Sequence, residues 1–187
     1  MKIIKETELI LTNEQKIYHL NLSKKEIAKN IILVGDPNRV KQISDKFDNI
    51  NFKISNREFI THTGEKNNQK ISVISTGIGT DNIDIVINEL DALFNIDFAT
   101  RKIKKQKTKL NIFRLGTSGS IQQNVRVDSI VASSFGLGLD GLAYFYEKRN
   151  ILEEHIQNAF IEHTNWYDAL PKPYIIKASE KLLKMFP

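Results

Sequence analysis

Asn30-Ile31-Ile32-Leu33-Val34-Gly35-Asp36-Pro37-Asn38-Arg39-Val40 is the stretch whose reading decides the fold. A short run of β-formers closed by Gly-Asp-Pro reads as a buried strand feeding a loop. Asn38 to Phe47 then reads as a helix with Val40, Ile43 and Phe47 on one face. The same strand-then-glycine pattern recurs twice. Lys70 to Thr76 ends in Gly77-Ile78-Gly79, and Leu110 to Leu115 ends in Gly116-Thr117-Ser118-Gly119. After Gly79, the spacing of Ile83, Val86, Ile87, Leu90 and Leu93 predicts a helix, with Thr80, Asp81 or Asn82 as its cap.

Outward from these units, Asn56 to Thr63 pairs with Lys70 to Thr76 as an expected antiparallel hairpin across residues 64–69. Ser129 to Ser133 reads as a further strand before the glycine-rich segment Gly136 to Gly141. A helix is expected from about Ile151 to Thr164, a break at Pro171-Lys172-Pro173, and a last helix over Ala178 to Phe186. Alternating strands and helices predict an α/β fold with a mixed, largely parallel central sheet flanked by helices.

The chain has 187 residues, enough for one ordinary domain, and residues 1–187 read as a single α/β domain. With 41% hydrophobic and 26% charged residues it is neither disordered nor fibrous. No apolar run is long enough for a membrane span, and the early charges Lys2, Lys5 and Glu6 do not suit a secretory signal. Cysteine is absent, which excludes disulfides and thiolate metal sites and fits a reducing, cytoplasmic setting. His62, His155 and His163 show no metal-ligand grouping, and no metal is expected. The net charge of +5 suits an anionic ligand, but equally weak nucleic-acid binding. Much of it comes from Arg101 to Lys109 (RKIKKQKTK), read as a solvated surface loop, with a polyanion-binding patch as the alternative.

In open α/β sheets, ligands sit beyond the carboxyl ends of the strands. Glycines let backbone N–H groups approach an anion, and Arg39 and Arg114 lie beside two of the loops. An arginine fork matches phosphate, so the spacing alone suggests a phosphate or carboxylate site. The competing reading is that the glycines only shape turns and the arginines are surface residues. Neither the GxxxxGK[ST] nor the GxGxxG phosphate motif is present.

These residues resemble the nucleoside phosphorylase family. Gly35-Asp36-Pro37-Asn38-Arg39-Val40 is similar to its GDPxRV motif and Asn56-Arg57-Glu58-Phe59 to its second arginine motif. Ser75 to Gly79 followed by Glu89-Leu90 is similar to the family signature, departing at Asp81, Asn82 and Asp84. Arg114 to Ile121 is similar to RxGTxGxI, and Tyr18-His19-Leu20 resembles the aromatic-His-Leu segment of uridine phosphorylases. The likeness runs collinearly from Tyr18 to Asp140, with an insertion holding the basic run.

The resemblance implies phosphorolysis of a nucleoside, uridine before others, to free base and ribose 1-phosphate. Phosphate is then a co-substrate and no cofactor is implied. By the same resemblance Gly35, Arg39, Arg57, Arg114 and Thr117 hold phosphate, with Arg114 and Thr117 closest to the chemistry. His19 would reach the ribose 5′-hydroxyl. Arg57 and His19 would serve a neighbouring subunit, which implies a homo-oligomer with shared sites and neither a nucleic-acid nor a membrane partner. The bland competitors are a surface role for His19, pairing of Arg57 with Glu58 or Glu65, and local turn bonds for Thr117. Asp140 receives no role. The family's base- and ribose-recognition motifs are not found after Asp140. The chain is therefore expected to lack the C-terminal part of that fold, to bind phosphate weakly and to turn over little by itself. Base-binding residues stay unassigned. Other readings are a purine nucleoside phosphorylase, a nucleosidase of the same fold, or an inactive remnant that binds polyanions.

Overall fold

The computed structural model describes residues 3–147 and 150–186, which fall into two compact units, residues 1–118 and 119–187. In the first unit, strand β1 (Asn30–Val34) leads to helix α1 (Asn38–Ser44), followed by β2 (Asn49–Asn56), β3 (Phe59–Lys66) and β4 (Gln69–Ser75). Helix α2 (Thr80–Asn95), the two-residue strands β5 (Ile96–Asp97) and β6 (Lys102–Ile103), and β7 (Asn111–Leu115) complete it. The main sheet has the order β2-β3-β4-β1-β7. β1 pairs in parallel with β4 and with β7, whereas β2–β3 and β3–β4 are antiparallel. The sheet is mixed, with its parallel part around β1.

Both faces of β1 are covered, which is why its sequence after Asn30 is continuously apolar rather than alternating. Ile31 and Leu33 join Ile74 of β4 and Val86, Leu90, Leu93 and Phe94 of α2 in one core cluster. Val34 and Ile32 face the other way and pack with Val73, Val40 and Ile43 at α1. Successive strand side chains point to opposite faces, so one run feeds two cores.

Three local expectations are corrected. First, β2 (NINFKISN) is a strand that the sequence reading left out. The β3–β4 turn also shrinks to Asn67-Asn68, both at positive φ, the geometry that matches strand twist in two-residue hairpins. Second, α2 is capped at Gly79, at φ 103°, and none of Thr80, Asp81 or Asn82 serves as its cap. A backbone turn that only glycine adopts freely replaces the side-chain cap.

The third correction lies in the second unit. Residues 129–133 form no strand; the strand is β8 (Phe135–Gly138), antiparallel to β9 (Tyr174–Lys177), which the sequence reading also missed. Between them lies α3 (Glu154–Thr164), and a short α4 (Glu180–Leu183) follows β9. The Tyr174 hydroxyl donates to both oxygens of Asp140, and burial together with that carboxylate pushes it up to about 12. Among the described residues, no helix is long and apolar enough to cross a membrane.

Candidate active site

The parallel registers bring the glycine loops together. Val34 aligns with Ser75 and with Leu115, so Gly35, Thr76 and Gly116 leave the sheet at one level and one end. Thr76 holds two of these exits together: its N–H and its hydroxyl both donate to the Val34 carbonyl, at 2.8 and 3.3 Å. A Cβ on Gly35 would stand 3.6 Å from the Gly77 carbonyl, so the first two loops run in van der Waals contact. At the third loop, Arg114 folds its guanidinium over Gly116, where a Cβ would come within 2.6 Å of Nη1. Any side chain at residue 116 would displace that arginine.

Arg39 sits in the first turn of α1, half-buried. Its N–H bonds the Asp36 carbonyl, while the Asp36 carboxylate accepts from the Asn38 N–H at 2.9 Å. Asp36 thereby shapes the turn that carries Arg39. Thr117 is exposed in the third loop.

Arg57 lies in the two-residue turn between β2 and β3, at φ 54°. The antiparallel register puts this turn at the same end of the sheet as the glycine loops. Ser75 ties it there: its hydroxyl donates to the Glu58 carbonyl and accepts from the Ile60 N–H, both at 2.7 Å. Among the described residues Arg57 forms no ion pair with Glu58 or Glu65. Its guanidinium lies over the Tyr18 ring, 5.6 Å from the centroid.

Tyr18 in turn meets His19 edge-on at 5.1 Å, and the Asn56 amide donates to the His19 carbonyl at 2.7 Å. His19 is therefore not a loose surface side chain. Its Nδ1 is 2.7 Å from Oε1 of Glu89, and that carboxylate also accepts from the backbone N–H groups of His19 and Leu20. Glu89 comes from the middle of α2 and is buried. A carboxylate only accepts, so the ring nitrogen facing it carries a proton, and in the neutral ring Nε2 is the acceptor. The sequence reading did not assign Glu89. Its glutamate at the Glu-Leu of the signature was the available signal, but its partner is 70 residues away.

Within one chain, then, the first unit gathers two sets at one sheet end: the glycine loops with Arg39, Arg114 and Thr117, and the Arg57–Tyr18–His19 group held by Ser75 and Glu89. Among the described residues no group of histidine and acidic side chains is arranged to hold a metal ion.

The sequence pattern of the phosphorylase superfamily matches residues 29–185. A uridine phosphorylase of Haemophilus influenzae is 33% identical over 132 residues, 70% of this chain and 47% of its own length. A purine nucleoside phosphorylase of Listeria welshimeri, of the DeoD type, is 32% identical over 114 residues, 60% of this chain and 43% of its own. Among solved structures, a Trypanosoma brucei nucleoside phosphorylase described as showing uridine phosphorylase activity superposes with a TM-score of 0.83 at 28% identity. That superposition covers 94% of this chain and 59% of the other. The chain spans about half the length of the curated relatives it matches.

Proposed function

The chain belongs to the phosphorylase superfamily, and from that premise we propose that it carries the phosphate-binding part of a nucleoside phosphorylase acting on uridine. The observation that carries the reading is the common exit of β1, β4 and β7, which stacks the glycine loops beside Arg39 and Arg114 at one end of the sheet. In the reaction the glycosidic C–N bond breaks and its electron pair leaves with the base. The ribosyl cation-like carbon is captured by a phosphate oxygen. The protein must hold a dianion without taking its charge away by proton transfer. Arginines do so because they stay protonated and present a fixed fork. Gly35 and Thr117 add a backbone and a hydroxyl donor, and Arg114, folded over Gly116, is the arginine at the third loop.

His19, with Nδ1 held by Glu89, keeps Nε2 for a hydrogen bond with the ribose 5′-hydroxyl, which can donate or accept. The family resemblance assigns His19 and Arg57 to a neighbouring subunit's site, so a second copy of the chain belongs to the proposal. Inorganic phosphate is the co-substrate and no cofactor takes part. A second reading, purine phosphorolysis, draws support from the likeness to purine nucleoside phosphorylases.

Calorimetric titration with inorganic phosphate tests the site without depending on turnover. Arg39→Ala and Arg114→Ala are each expected to weaken binding about tenfold or more, the cost of a lost charge-assisted contact. Unchanged affinity in both variants would refute the assignment. In a longer version that carries the base- and ribose-recognition motifs, uracil release from uridine, followed by ultraviolet absorbance, is expected to require phosphate. Equal release without it would mean hydrolysis, and release from inosine alone would move the substrate to purines.

A further inference from the structure

The basic run Arg101 to Lys109 is solvated, as its composition suggests, with Lys102, Lys105, Lys107 and Lys109 exposed, but its backbone is held in place. Arg101 turns inward and donates to the backbone carbonyls of Ile4, Lys5 and Leu9. Residues 104–108 are pinned to the end of α2 by the buried Asn95. Its side chain accepts from the Thr108 N–H at 2.7 Å and donates to the Thr108 carbonyl at 3.2 Å, while its own carbonyl receives the Lys104 N–H. This fixed loop forms one wall of a cavity of about 480 Å³ that Lys24, Lys29, Lys104, Lys107 and Lys109 line together with Phe94.

Lys24 and Lys29 come from elsewhere, the turn ahead of β1 and the residue preceding it. No acidic side chain lines the cavity, and among the described residues none of the five lysines is ion-paired. Lys104 donates to the Phe94 carbonyl at the end of α2, which accounts for one cation there. Lys24 lies over the Phe94 ring, 5.9 Å from its centroid, and nothing of that kind accounts for Lys29, Lys107 and Lys109. Gathering like charges around one cavity is unfavourable until an anion fills it. In line with that crowding, the Lys104 ammonium is lowered first by burial and then by Lys24, with Asp97 opposing.

We propose that this cavity binds a compact oligophosphate, as inorganic tripolyphosphate or as the triphosphate tail of a nucleotide. Its volume falls in the range of small-ligand sites. Lysines are point charges that satisfy several phosphate oxygens without selecting a planar group. A single-stranded nucleic acid would need exposed aromatic faces for its bases, and the one ring present, Phe94, is buried beneath Lys24. The site is separate from the phosphate-binding loops. Lys29 and Lys109 flank the amino-terminal ends of β1 and β7, and those loops leave the carboxyl ends. The inference therefore stands whether or not the phosphorolysis reading does.

Titration of the protein with inorganic tripolyphosphate at low salt is the test, with ATP and an RNA oligonucleotide as parallel arms. The double variant Lys24→Gln/Lys107→Gln is expected to lose about tenfold in tripolyphosphate affinity and to show a shallower salt dependence. A second pair, Lys29→Gln/Lys109→Gln, should do the same, and matched thermal melts show that both variants fold. Arg39→Ala/Arg114→Ala should leave tripolyphosphate binding intact. Equal affinity for tripolyphosphate and ATP assigns recognition to the phosphates alone, and tighter ATP binding assigns a nucleotide, both within the proposal. Binding lost in the arginine variant, unchanged in both lysine variants, or tighter to RNA than to either small ligand overturns it.

Discussion

At the scale of single residues, the site depends on polar groups that are buried in order to hold exposed ones. The Glu89 carboxylate accepts three hydrogen bonds from the His19–Leu20 segment, two of them from backbone. Glu89→Gln keeps the volume but turns an NH2 group toward N–H donors. We expect it to cost about 1–3 kcal/mol, the desolvation penalty of a buried donor left unmet. His19→Ala leaves the two backbone bonds in place and should cost less. Thermal melts of the two variants give the comparison, and a Glu89→Gln protein as stable as its parent would show that the carboxylate is not what seats His19.

The pairing of His19 with Glu89 was not readable along the chain, because the partners are joined by the meeting of a loop with the middle of α2. The positions of Arg39 and Arg114 were readable, since each lies within a few residues of a glycine turn. The placement of Arg57 was only half readable: the motif marked it, but not its left-handed backbone, which costs about 1 kcal/mol or more in a residue other than glycine. That strain, in a turn where glycine would fit better, sits at the candidate site.

At the scale of elements, β2 shows why a polar strand escapes notice. Its residues alternate exposed and half-buried, and only Ile50, Phe52 and Ile54 are apolar. β1, α2 and β7 were legible because a continuous apolar run or a three-and-four spacing marks them. The 129–133 segment misled in the opposite sense. It has the composition of a strand, yet Ile130 and Val131 stand 91% and 62% exposed and the pairing falls on β8 instead. Strand pairing is decided by a partner, and β9, hidden behind Pro173, supplied it.

The β2–β3 pair carries a further constraint. Its register shifts between Ile50 and Phe52, opposite Gly64, where a Cβ would lie 2.1 Å from the Asn49 carbonyl. Backbone cannot retreat as a flexible side chain can. Gly64→Ala is expected to destabilise the protein by about 1–3 kcal/mol, the usual cost of overpacking. Chemical denaturation measures it, and a shift of only a few tenths would mean that the bulge relaxes freely.

At the scale of the whole molecule, the first unit separates two kinds of cationic group along its strands. Arginines and glycine loops occupy the carboxyl ends, and lysines occupy the amino ends. The general layout, a sheet with helices on both faces and glycine loops at one end, was legible from β1, β4 and β7. The lysine cavity was not, because Lys24 and Lys29 join the basic run only when β1 lies beside β7.

That placement of β1 also sets an order in time. β2, β3 and β4 follow one another through two-residue turns, and such local pairings close quickly. β1 pairs with β4 and β7 across long stretches of chain, Asn30 meeting Ile71 on one side and Asn111 on the other. Loop closure makes those pairings the slow ones. During refolding, pulse-labelled amides of β3 and β4 at their shared ladder should gain protection before those of β1 and β7; simultaneous protection would contradict this order. β1 joins after the hairpin strands, β7 pairs only with β1, and the three glycine loops come level only when both are in place. A chain caught midway through folding, however much hairpin it has made, therefore still has its three glycine loops apart.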